Sequence, residues 1–392
     1  MKIKEFLYHK IYFRLLEKCI DWFFYLPVKN NKIVFLHDFG NGYGDSPKVL
    51  AQEIMRRGLP YDMVWLVNDM KLEFPHPIRK VLMSRIKSVY ELATAKVIIT
   101  TAKSKYYLKK KSTQFFVYIP HGQIGAKYVE RQAGDTLSKG YIDGSIWHSK
   151  VSNLFISSSK LHTEEELTWY WYDGEVMECG LPRNDIFFHY TPEDVQDIKK
   201  KVGIPDGVKI VLYGPTFRNE PSNEPYAIDT ERVLHTLEQK TGGKWIFLFR
   251  AHPNFVWYGK PAFEYSDKVM DVTNYPDMQD LLLISDVLIS DYSSAMFDFN
   301  LMHRPVFLFT KDIEAYQKMR GLKDWYFKVP FPFCHNNDEL VSAIANYNEQ
   351  EYRQKCAEFD KFYGNLETGT AAKQIVDCLQ KICLLYTSPS PR

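Results

Sequence analysis

Residues 285–298 read SDVLISDYSSAMFD and predict the fold of the chain. The apolar run at 286–290 is typical of a buried strand, and the residues after it have the spacing of a helix. A strand that runs directly into a helix predicts an α/β unit with parallel strands. Ser293 and Ser294 stand where this helix would be capped, so its free N–H groups and positive dipole end would form an anion site. Asp298, one turn further on, is placed to accept hydrogen bonds from a sugar or polyol hydroxyl.

Short apolar runs alternate with amphipathic stretches along most of the chain. They form two series, at 33–36, 63–67, 97–100, 115–119 and 154–157, and then at 210–213, 245–249, 286–290 and 306–309. Strands separated by helical patterns predict parallel, doubly wound sheets. A stretch rich in proline and charge, at 192–207, lies between the series and would hold a linker. We therefore predict two Rossmann-like domains, 27–190 and 191–383, that face each other across a cleft.

Both ends of the chain differ from this pattern. Residues 1–26 combine aromatic side chains at helical spacing with an excess of lysine and arginine, which predicts an amphipathic helix and a candidate membrane-surface anchor. Packing of that helix on the body of the protein is the alternative. Residues 384–392 have no periodicity and end in Ser-Pro-Ser-Pro-Arg, so we interpret them as a non-native tail.

Composition narrows the function further. The chain has 392 residues, of which 45% are hydrophobic and 25% charged, and its net charge of +2 gives no reason to expect nucleic-acid binding. Six scattered cysteines without a CxxC pair are typical of reduced thiols in a cytoplasm rather than of disulfides or zinc ligands. No apolar run is long enough to cross a bilayer, and the N-terminus lacks the features of a secretory signal. A cytoplasmic protein is predicted.

Polar groups follow the predicted strands, where ligands bind in open α/β sheets. His121 comes directly after 115–119 and is followed by a glycine, and an imidazole there could take a proton from an alcohol near neutral pH. Thr216 and Arg218 follow 210–213 and offer a hydroxyl and a fork of donors suited to phosphate oxygens. Arg250 and His252 follow 245–249 and would share one side of an extended segment.

Each of these residues also has a structural explanation. His121 would be a turn histidine and Arg218 a surface arginine. Arg250 would pair with a carboxylate of the other domain, and the two serines would be ordinary helix caps. The functional interpretation is favoured because four strands in the series end in groups that suit phosphate binding or proton transfer. The glycine-rich loop at 40–45 has the wrong spacing for a dinucleotide site and lacks the lysine of a P-loop, which disfavours an oxidoreductase.

In combination and in order, these motifs resemble those of the CDP-glycerol:poly(glycerol phosphate) glycerophosphotransferase family, which builds teichoic acids and related capsular polymers. The resemblance covers roughly residues 30–375 and lies in Pro120-His121-Gly122, GLPRND at 180–185, PTFR at 215–218, RAHP at 250–253, SDYSS at 290–294, Phe297-Asp298, Lys311-Asp312 and Tyr316. The family often has tryptophan where this chain has Pro120, so the acceptor side is expected to differ.

The resemblance implies a GT-B-like architecture in which the second domain holds most of the donor nucleotide. It implies that His121 is the general base and that His252 assists at the donor pyrophosphate. The same resemblance puts Asp298 near the glycerol and five residues around the donor phosphates: Thr216, Arg218, Arg250, Ser293 and Ser294. The implied donor is CDP-glycerol or CDP-ribitol, and the implied acceptor is a lipid-linked polyol phosphate or glycan at the inner membrane surface.

The expected reaction is attack of an acceptor hydroxyl on the distal phosphorus of the donor, with release of CMP. No cofactor is required by this chemistry, and an assisting Mg²⁺ is left open. Two alternatives remain at the level of the sequence. A nucleotide-sugar glycosyltransferase of the same architecture would release a nucleoside diphosphate, and a non-catalytic membrane-bound nucleotide-binding protein would bind its ligand without turnover.

Overall fold

The computed structural model describes residues 22–83, 86–103, 110–134, 137–218, 222–252, 255 and 257–384, and these residues form two parallel β-sheets. The first half of the molecule is built on a sheet of seven described strands: β1 (Lys29–Leu36), β2 (Asp62–Val67), β3 (Arg79–Leu82), β4 (Ala95–Thr100), β5 (Phe115–Tyr118), β6 (Leu154–Ser157) and β7 (Glu175–Glu178). The second half is built on a sheet of six: β8 (Lys209–Tyr213), β9 (Trp245–Phe249), β10 (Val269–Asp271), β11 (Val287–Ser290), β12 (Val306–Phe309) and β13 (Phe333–Cys334).

Helices connect the strands and cover both sheets. The described helices are α1 (Asp45–Arg56), α2 (Ile86–Thr94), α3 (Glu130–Ala133), α4 (Lys139–Val151), α5 (Lys160–Trp169), α6 (Ile186–His189), α7 (Pro192–Val202), α8 (Thr230–Thr241), α9 (Met278–Ile284), α10 (Ala295–Asn300), α11 (Ile313–Arg320), α12 (Asn337–Ala345), α13 (Glu349–Tyr363) and α14 (Ala371–Leu384). Short 3₁₀ turns lie at Asp38–Gly40, Pro182–Asp185, Glu224–Tyr226 and Asp324–Lys328.

Both sheets have the doubly wound strand order. The first runs β3-β2-β1-β4-β5-β6-β7 and the second β10-β9-β8-β11-β12-β13, and the pairings between neighbouring strands are parallel. The direction of winding therefore reverses between β1 and β4 in the first sheet and between β8 and β11 in the second. Such reversal points leave a crevice at the carboxyl ends of the strands, and this crevice is where ligands bind in open α/β sheets.

Burial on both faces explains why these segments form parallel strands. In β2, the five consecutive residues from Met63 to Val67 are buried, and the ring of Trp65 stacks on Phe35 of β1 with centroids 5.0 Å apart. A strand covered by helices on each side needs an unbroken apolar run rather than alternation. The nine strands predicted from such runs are all present. The four others, β3, β7, β10 and β13, are the outer strands of the two sheets.

The stretch predicted to hold the linker is largely a helix. Thr191 and Asp194 form a reciprocal capping box at the start of α7, and Gly203, in the left-handed conformation, ends it. Ile198 of this helix is buried in the core of the second half. Helix α7 is therefore the first element of the second half.

The last helix returns to the first half. Ala371 and Ile375 of α14 are buried in the core beneath β1, β2 and β4. The carboxylate of Asp185 fixes the start of this helix, because it accepts hydrogen bonds from the backbone N–H groups of Ala371 at 3.0 Å and Ala372 at 2.9 Å. The second domain was predicted to span 191–383. Its last part, residues 371–383, packs instead on the sheet of the first half. The predicted helix over 1–26 and tail over 384–392 lie almost entirely outside the described residues.

Candidate active site

The loops at the carboxyl ends of the two sheets contact each other. Lys48 of α1 and Asp277, just before α9, form an ion pair with 2.6 Å between Nζ and Oδ2. On the opposite sides of the loops, Lys127 and Leu322 form an antiparallel bridge. The strand-end residues that the sequence singled out lie in this region between the halves.

His121 follows β5 and lies in the crevice, where it is still accessible to solvent. Its backbone carbonyl accepts a hydrogen bond from the guanidinium of Arg183. The surrounding protein lowers the pKa of the imidazole below its usual 6.5, mainly because the crevice displaces water from around the ring and so disfavours its charged form. Repulsion from Arg183 and Lys127 adds to this shift, and attraction to Asp45 opposes it. The ring is therefore neutral at pH 7 and able to accept a proton.

His252 follows β9 and reaches the same region from the second half. Its ring packs against Phe217 with centroids 4.8 Å apart. Burial, followed by repulsion from Lys127 and His121, lowers its pKa to about 4. The structure therefore brings the two predicted histidines into electrostatic contact, and in the ligand-free protein His252 is a neutral imidazole rather than a cation.

Thr216 and Arg218 lie beside the crevice, but their polar groups bond to carboxylates. The backbone N–H and hydroxyl of Thr216 both donate to Oδ1 of Asp291, at 2.9 and 2.5 Å. Arg218 donates through Nε to Asp312 at 2.6 Å, and its Nη1 lies 3.0 Å from Asp291. Its guanidinium also lies over the rings of Tyr292 and Tyr316. Only 4% of the Arg218 side chain is exposed. These contacts satisfy both residues without a ligand, and their predicted contact with donor phosphates stays a prediction.

Arg250 has more unoccupied hydrogen-bond donors than Arg218. It is half-buried, and its Nη1 donates to the backbone carbonyl of Tyr275 at 2.7 Å. Burial lowers its pKa, while Asp277 opposes that shift. An arginine presents five N–H donors, so the remaining ones could reach a phosphate.

Ser293 and Ser294 lie at the start of α10, but the side chain of Ser294, at the N-cap, makes no capping hydrogen bond, so the predicted capping role is wrong for this residue. Ser293 Oγ accepts a hydrogen bond from the backbone N–H of Ala295 at 3.3 Å, and both serines are half-buried. The hydroxyl of Ser294 faces the loop of His121, because a Cβ atom placed on Gly122 would lie 2.4 Å from Ser294 Oγ. Glycine at 122 thus lets the loop of His121 approach Ser294 closely.

Asp298 occupies a buried polar network that joins the two halves. Its carboxylate accepts hydrogen bonds from Gln123 at 3.1 Å, Asn184 at 3.0 Å, Gln279 at 3.2 Å and the guanidinium of Arg183. The side chain is 1% exposed. Burial raises the pKa of Asp298 while Arg183 lowers it. Its observed role is to hold the halves together, and the predicted contact with glycerol stays untested.

The prediction of site residues missed four charged side chains in this region: Asp45, Lys127, Arg183 and Asp291. Arg183 and Asp291 fall within the family motifs at 180–185 and 290–294, so their presence in the sequence pattern was a signal. Asp45 ends the glycine-rich loop, and Arg183 and His37 hold its pKa below the usual value against the effect of burial. No local pattern marks Lys127. In the described part of the chain, no group of three or more metal-binding side chains converges.

Comparison with known proteins identifies the family and the fold. The family model for CDP-Glycerol:Poly(glycerophosphate) glycerophosphotransferase matches residues 19–381. The chain is 29% identical over 371 residues to the teichoic acid poly(glycerol phosphate) polymerase of Staphylococcus epidermidis, covering 90% of this chain and 51% of that protein. It is 28% identical over 397 residues to the teichoic acid glycerol-phosphate transferase of Staphylococcus aureus, covering 97% of this chain and 99% of that protein. The chain thus spans about half the length of the first relative and nearly all of the second.

A solved structure of the wall teichoic acid polymerase TagF, soaked with CDPG, has the same architecture. The TM-score is 0.83 at 25% sequence identity, with 98% of each chain covered. The predicted fold, two parallel α/β domains in a GT-B-like arrangement, is confirmed.

Proposed function

The chain belongs to the CDP-glycerol:poly(glycerophosphate) glycerophosphotransferase family, and we propose that it transfers glycerol phosphate from CDP-glycerol to a polymeric or lipid-linked cell-envelope acceptor. One observation carries this proposal beyond the family match. The two strand-end histidines, His121 and His252, come from opposite halves and lie close enough that the charge of His121 lowers the pKa of His252. A neutral imidazole beside cationic groups in such a crevice suits proton abstraction next to a bound pyrophosphate.

In the proposed reaction, Nε2 or Nδ1 of His121 takes the proton of an acceptor hydroxyl. The acceptor oxygen forms a bond to the phosphorus that carries the glycerol, and the bond from that phosphorus to the bridging oxygen breaks. CMP leaves with the bonding electron pair. Positioning and charge stabilisation supply most of the rate in phosphoryl transfer of this kind, so the cationic groups of the crevice are central.

The contacts in the ligand-free protein indicate which residues bind the donor phosphates and which support those residues. Arg250, Ser293 and Ser294 retain accessible polar groups and are the residues we assign to the donor phosphates, with His252 beside them. Thr216 and Arg218 are assigned to the support of that site through Asp291, because their own donors are already occupied. The donor would be CDP-glycerol, in agreement with the glycerol-phosphate relatives, and CDP-ribitol is the competing donor.

A direct assay tests this proposal. Purified protein is incubated with CDP-glycerol or CDP-ribitol and a lipid-linked acceptor, with Mg²⁺ or with EDTA, and mass spectrometry follows the acceptor and the released nucleotide. We expect the acceptor to gain glycerol phosphate and CMP to appear in equal amount. A parallel incubation with a sugar nucleotide tests the first alternative, because release of a nucleoside diphosphate would identify a glycosyltransferase. Binding of CDP-glycerol without CMP release would identify a non-catalytic binding protein.

We also propose that the protein acts at the membrane surface. None of the described helices is both long and apolar enough to cross a bilayer. Immediately after residue 21, however, Trp22 is 67% exposed and Tyr25 is 84% exposed. A neighbouring groove of about 670 Å³ is lined by apolar and basic side chains that include Ile86 and Lys87. Exposed aromatic rings beside lysines favour the headgroup region of an anionic bilayer.

Sedimentation with lipid vesicles tests the membrane proposal. The protein should pellet with vesicles that contain anionic lipid, and the double variant Trp22→Ser/Tyr25→Ser should pellet less. Phe362→Ser is the matched control, because Phe362 is 50% exposed on α13, a helix of the second half. Equal pelleting of all three proteins would contradict a role for the exposed rings.

A further inference from the structure

Lys127 lies in the loop between β5 and α3, and the second half fixes the backbone of this loop. The N–H of Lys323 donates to the carbonyl of Ala126 at 2.9 Å, and the N–H of Tyr128 donates to the carbonyl of Gly321 at 3.2 Å. These two bonds flank the bridge between Lys127 and Leu322. The side-chain ring of Tyr128 lies so close to Gly321 that a Cβ there would come within 2.1 Å of it, so only glycine permits this approach. The position of Lys127 is therefore determined by the contact between the halves.

The side chain of Lys127 is surrounded mainly by positive or titratable groups. Five groups lie close enough to interact electrostatically with its ammonium: Arg218, Arg320, Asp291, His121 and His252. Asp291 is the one carboxylate among them, and it already accepts from the N–H and hydroxyl of Thr216 and pairs with Arg218. The ammonium therefore adds a positive charge that its surroundings do not neutralise.

Lys127 is half-buried, and lysines whose side chains are almost fully buried have a partner within the protein. Lys32 lies 2.5 Å from Glu91, Lys103 lies 2.5 Å from Glu130, and Lys323 lies 2.8 Å from Glu165. An ammonium enclosed by protein is costly unless an acceptor accompanies it, and the buried Lys96 donates to the carbonyl of Thr113 at 2.8 Å. Among the described residues, no carboxylate lies within ion-pair distance of Lys127. A cation without a carboxylate partner among the described residues, near both histidines, points to an anion that is supplied by the ligand.

We propose that Lys127 contacts the phosphate oxygens of the bound donor, so that the first half contributes a cation as well as the base. This inference rests on the proposed use of a CDP-linked donor. A phosphate beside Lys127 would lie next to His121, and its binding would add a contact across the two halves. The lysine charge would then be neutralised in the complex, where it also opposes the negative charge that grows on the departing CMP.

Titration calorimetry with CDP-glycerol tests this proposal on the full chain. Lys127→Met should weaken binding by about 10- to 100-fold, the usual effect of one charge-assisted hydrogen bond. Lys127→Arg should restore most of the affinity because it keeps the charge. Lys209→Met is the matched control: Lys209 is also half-buried, but its ammonium donates to the carbonyl of Thr241 at the amino end of β8.

Two further measurements separate phosphate binding from a structural role. Burial, with repulsion from Arg320, lowers the pKa of Lys127 to about 8, so wild-type affinity should fall as the pH rises from 7 to 9, whereas Lys127→Arg should keep its affinity. The Tm of ligand-free Lys127→Met should not fall, because the change removes a charge that the free protein does not neutralise.

Wild-type affinity in Lys127→Met would overturn the role of Lys127 and leave the proposed function standing. Equal losses in Lys127→Met and Lys127→Arg, with a lowered Tm in both, would show a structural role instead. Failure of the wild-type protein to bind CDP-glycerol would reject the proposed function and this inference together.

Discussion

Gly122 and Ser294, which belong to opposite halves of the molecule, touch across the crevice: a Cβ atom on Gly122 would lie 2.4 Å from Ser294 Oγ and 3.4 Å from Ser294 Cβ. The loop that carries the proposed base and the turn that carries the proposed phosphate ligands are therefore in direct contact. There is no room between them for a branched side chain.

Replacement of Gly122 by valine should separate these two loops. We expect a loss of about 1–3 kcal/mol in the free energy of unfolding, the usual cost of overpacking, together with a loss of transfer activity. The double variant Gly122→Val/Ser294→Gly should recover stability in urea unfolding because the opposing side chain is gone. Gly140→Val is the control, since a Cβ at Gly140 meets no atom within 4 Å. Equal stability of Gly122→Val and the control would show that the contact is loose.

Replacement of His121 by asparagine should lower turnover by about 10²–10⁴-fold, the usual contribution of a general base. Stability should not change, because the side chain is accessible to solvent. His235→Asn, an exposed change on α8, should keep full activity. Because the pKa of His121 lies below 6.5, the acid limb of kcat/KM in the wild-type protein should also lie below pH 6.5. Undiminished turnover in His121→Asn, measured as CMP release, would exclude this residue as the base.

The two arginines of the donor side should respond differently to replacement by methionine. Arg218→Met leaves the buried carboxylate of Asp291 and the half-buried carboxylate of Asp312 without this cation, so we expect destabilisation of about 3–5 kcal/mol. Arg250→Met should leave the Tm nearly unchanged and raise the KM for CDP-glycerol by about 10-fold or more, because this half-buried side chain keeps free donors. Thermal unfolding and initial rates decide the matter. A normal Tm with a raised KM in Arg218→Met would instead support the direct contact between Arg218 and phosphate that the sequence predicts.

Asp298 offers a test between a structural and a glycerol-binding role. Its replacement by alanine removes the acceptor of four side chains and the partner of a buried guanidinium, so we expect a loss of about 3–5 kcal/mol in the free energy of unfolding. Asp267→Ala, an exposed change, should stay within about 0.5 kcal/mol of the wild type. Should Asp298→Ala keep its stability and alter only the preference between CDP-glycerol and CDP-ribitol, the glycerol contact would be supported instead.

Glu367 should make stability depend on pH. Its carboxylate accepts hydrogen bonds from the N–H of Leu181 at 3.1 Å and from Asn184 at 2.8 Å, and burial raises its pKa to about 8. The folded chain therefore holds this proton more tightly than the unfolded chain, and stability falls as the pH rises from 4.5 to about 8. In Glu367→Gln this loss should be absent. The Tm of the variant minus the Tm of the wild type should therefore increase as the pH rises from 5 to 8. Parallel Tm curves would contradict the shift.

Strands could be predicted wherever burial on both faces required an unbroken apolar run. The strands that escaped prediction are the edges of the sheets, with sequences RKVL, EVME, VMD and FC. An edge strand has a neighbour on one side only and is often short, so its residues need not be apolar throughout. In the same way, Thr191 and Asp194 form a capping box at the start of a helix in the region that the sequence predicts as a linker. Its proline and its many charged residues are typical of linkers, so the helix is not predicted.

The candidate site was predictable to the extent that it follows from strand ends. His121 and His252 could be selected because each comes directly after a predicted strand, and in the structure His121 lies close enough to affect the pKa of His252. The binding partners of Arg218 could not be predicted in this way. Asp291 and Asp312 lie far along the chain, and nothing local to Arg218 shows that both carboxylates reach its guanidinium.

The sequence by itself determined the two series of parallel strands, the helices between them and the chemistry available at the strand ends, because these properties depend on neighbouring residues and on the period at which side chains are buried. Only the tertiary structure decided which charges are neutralised. Within the described part of the chain, Arg218 has two carboxylate partners and Lys127 has none, because docking of the halves brings together side chains that are far apart in the chain. The free energy of a charge depends on what that docking places beside it.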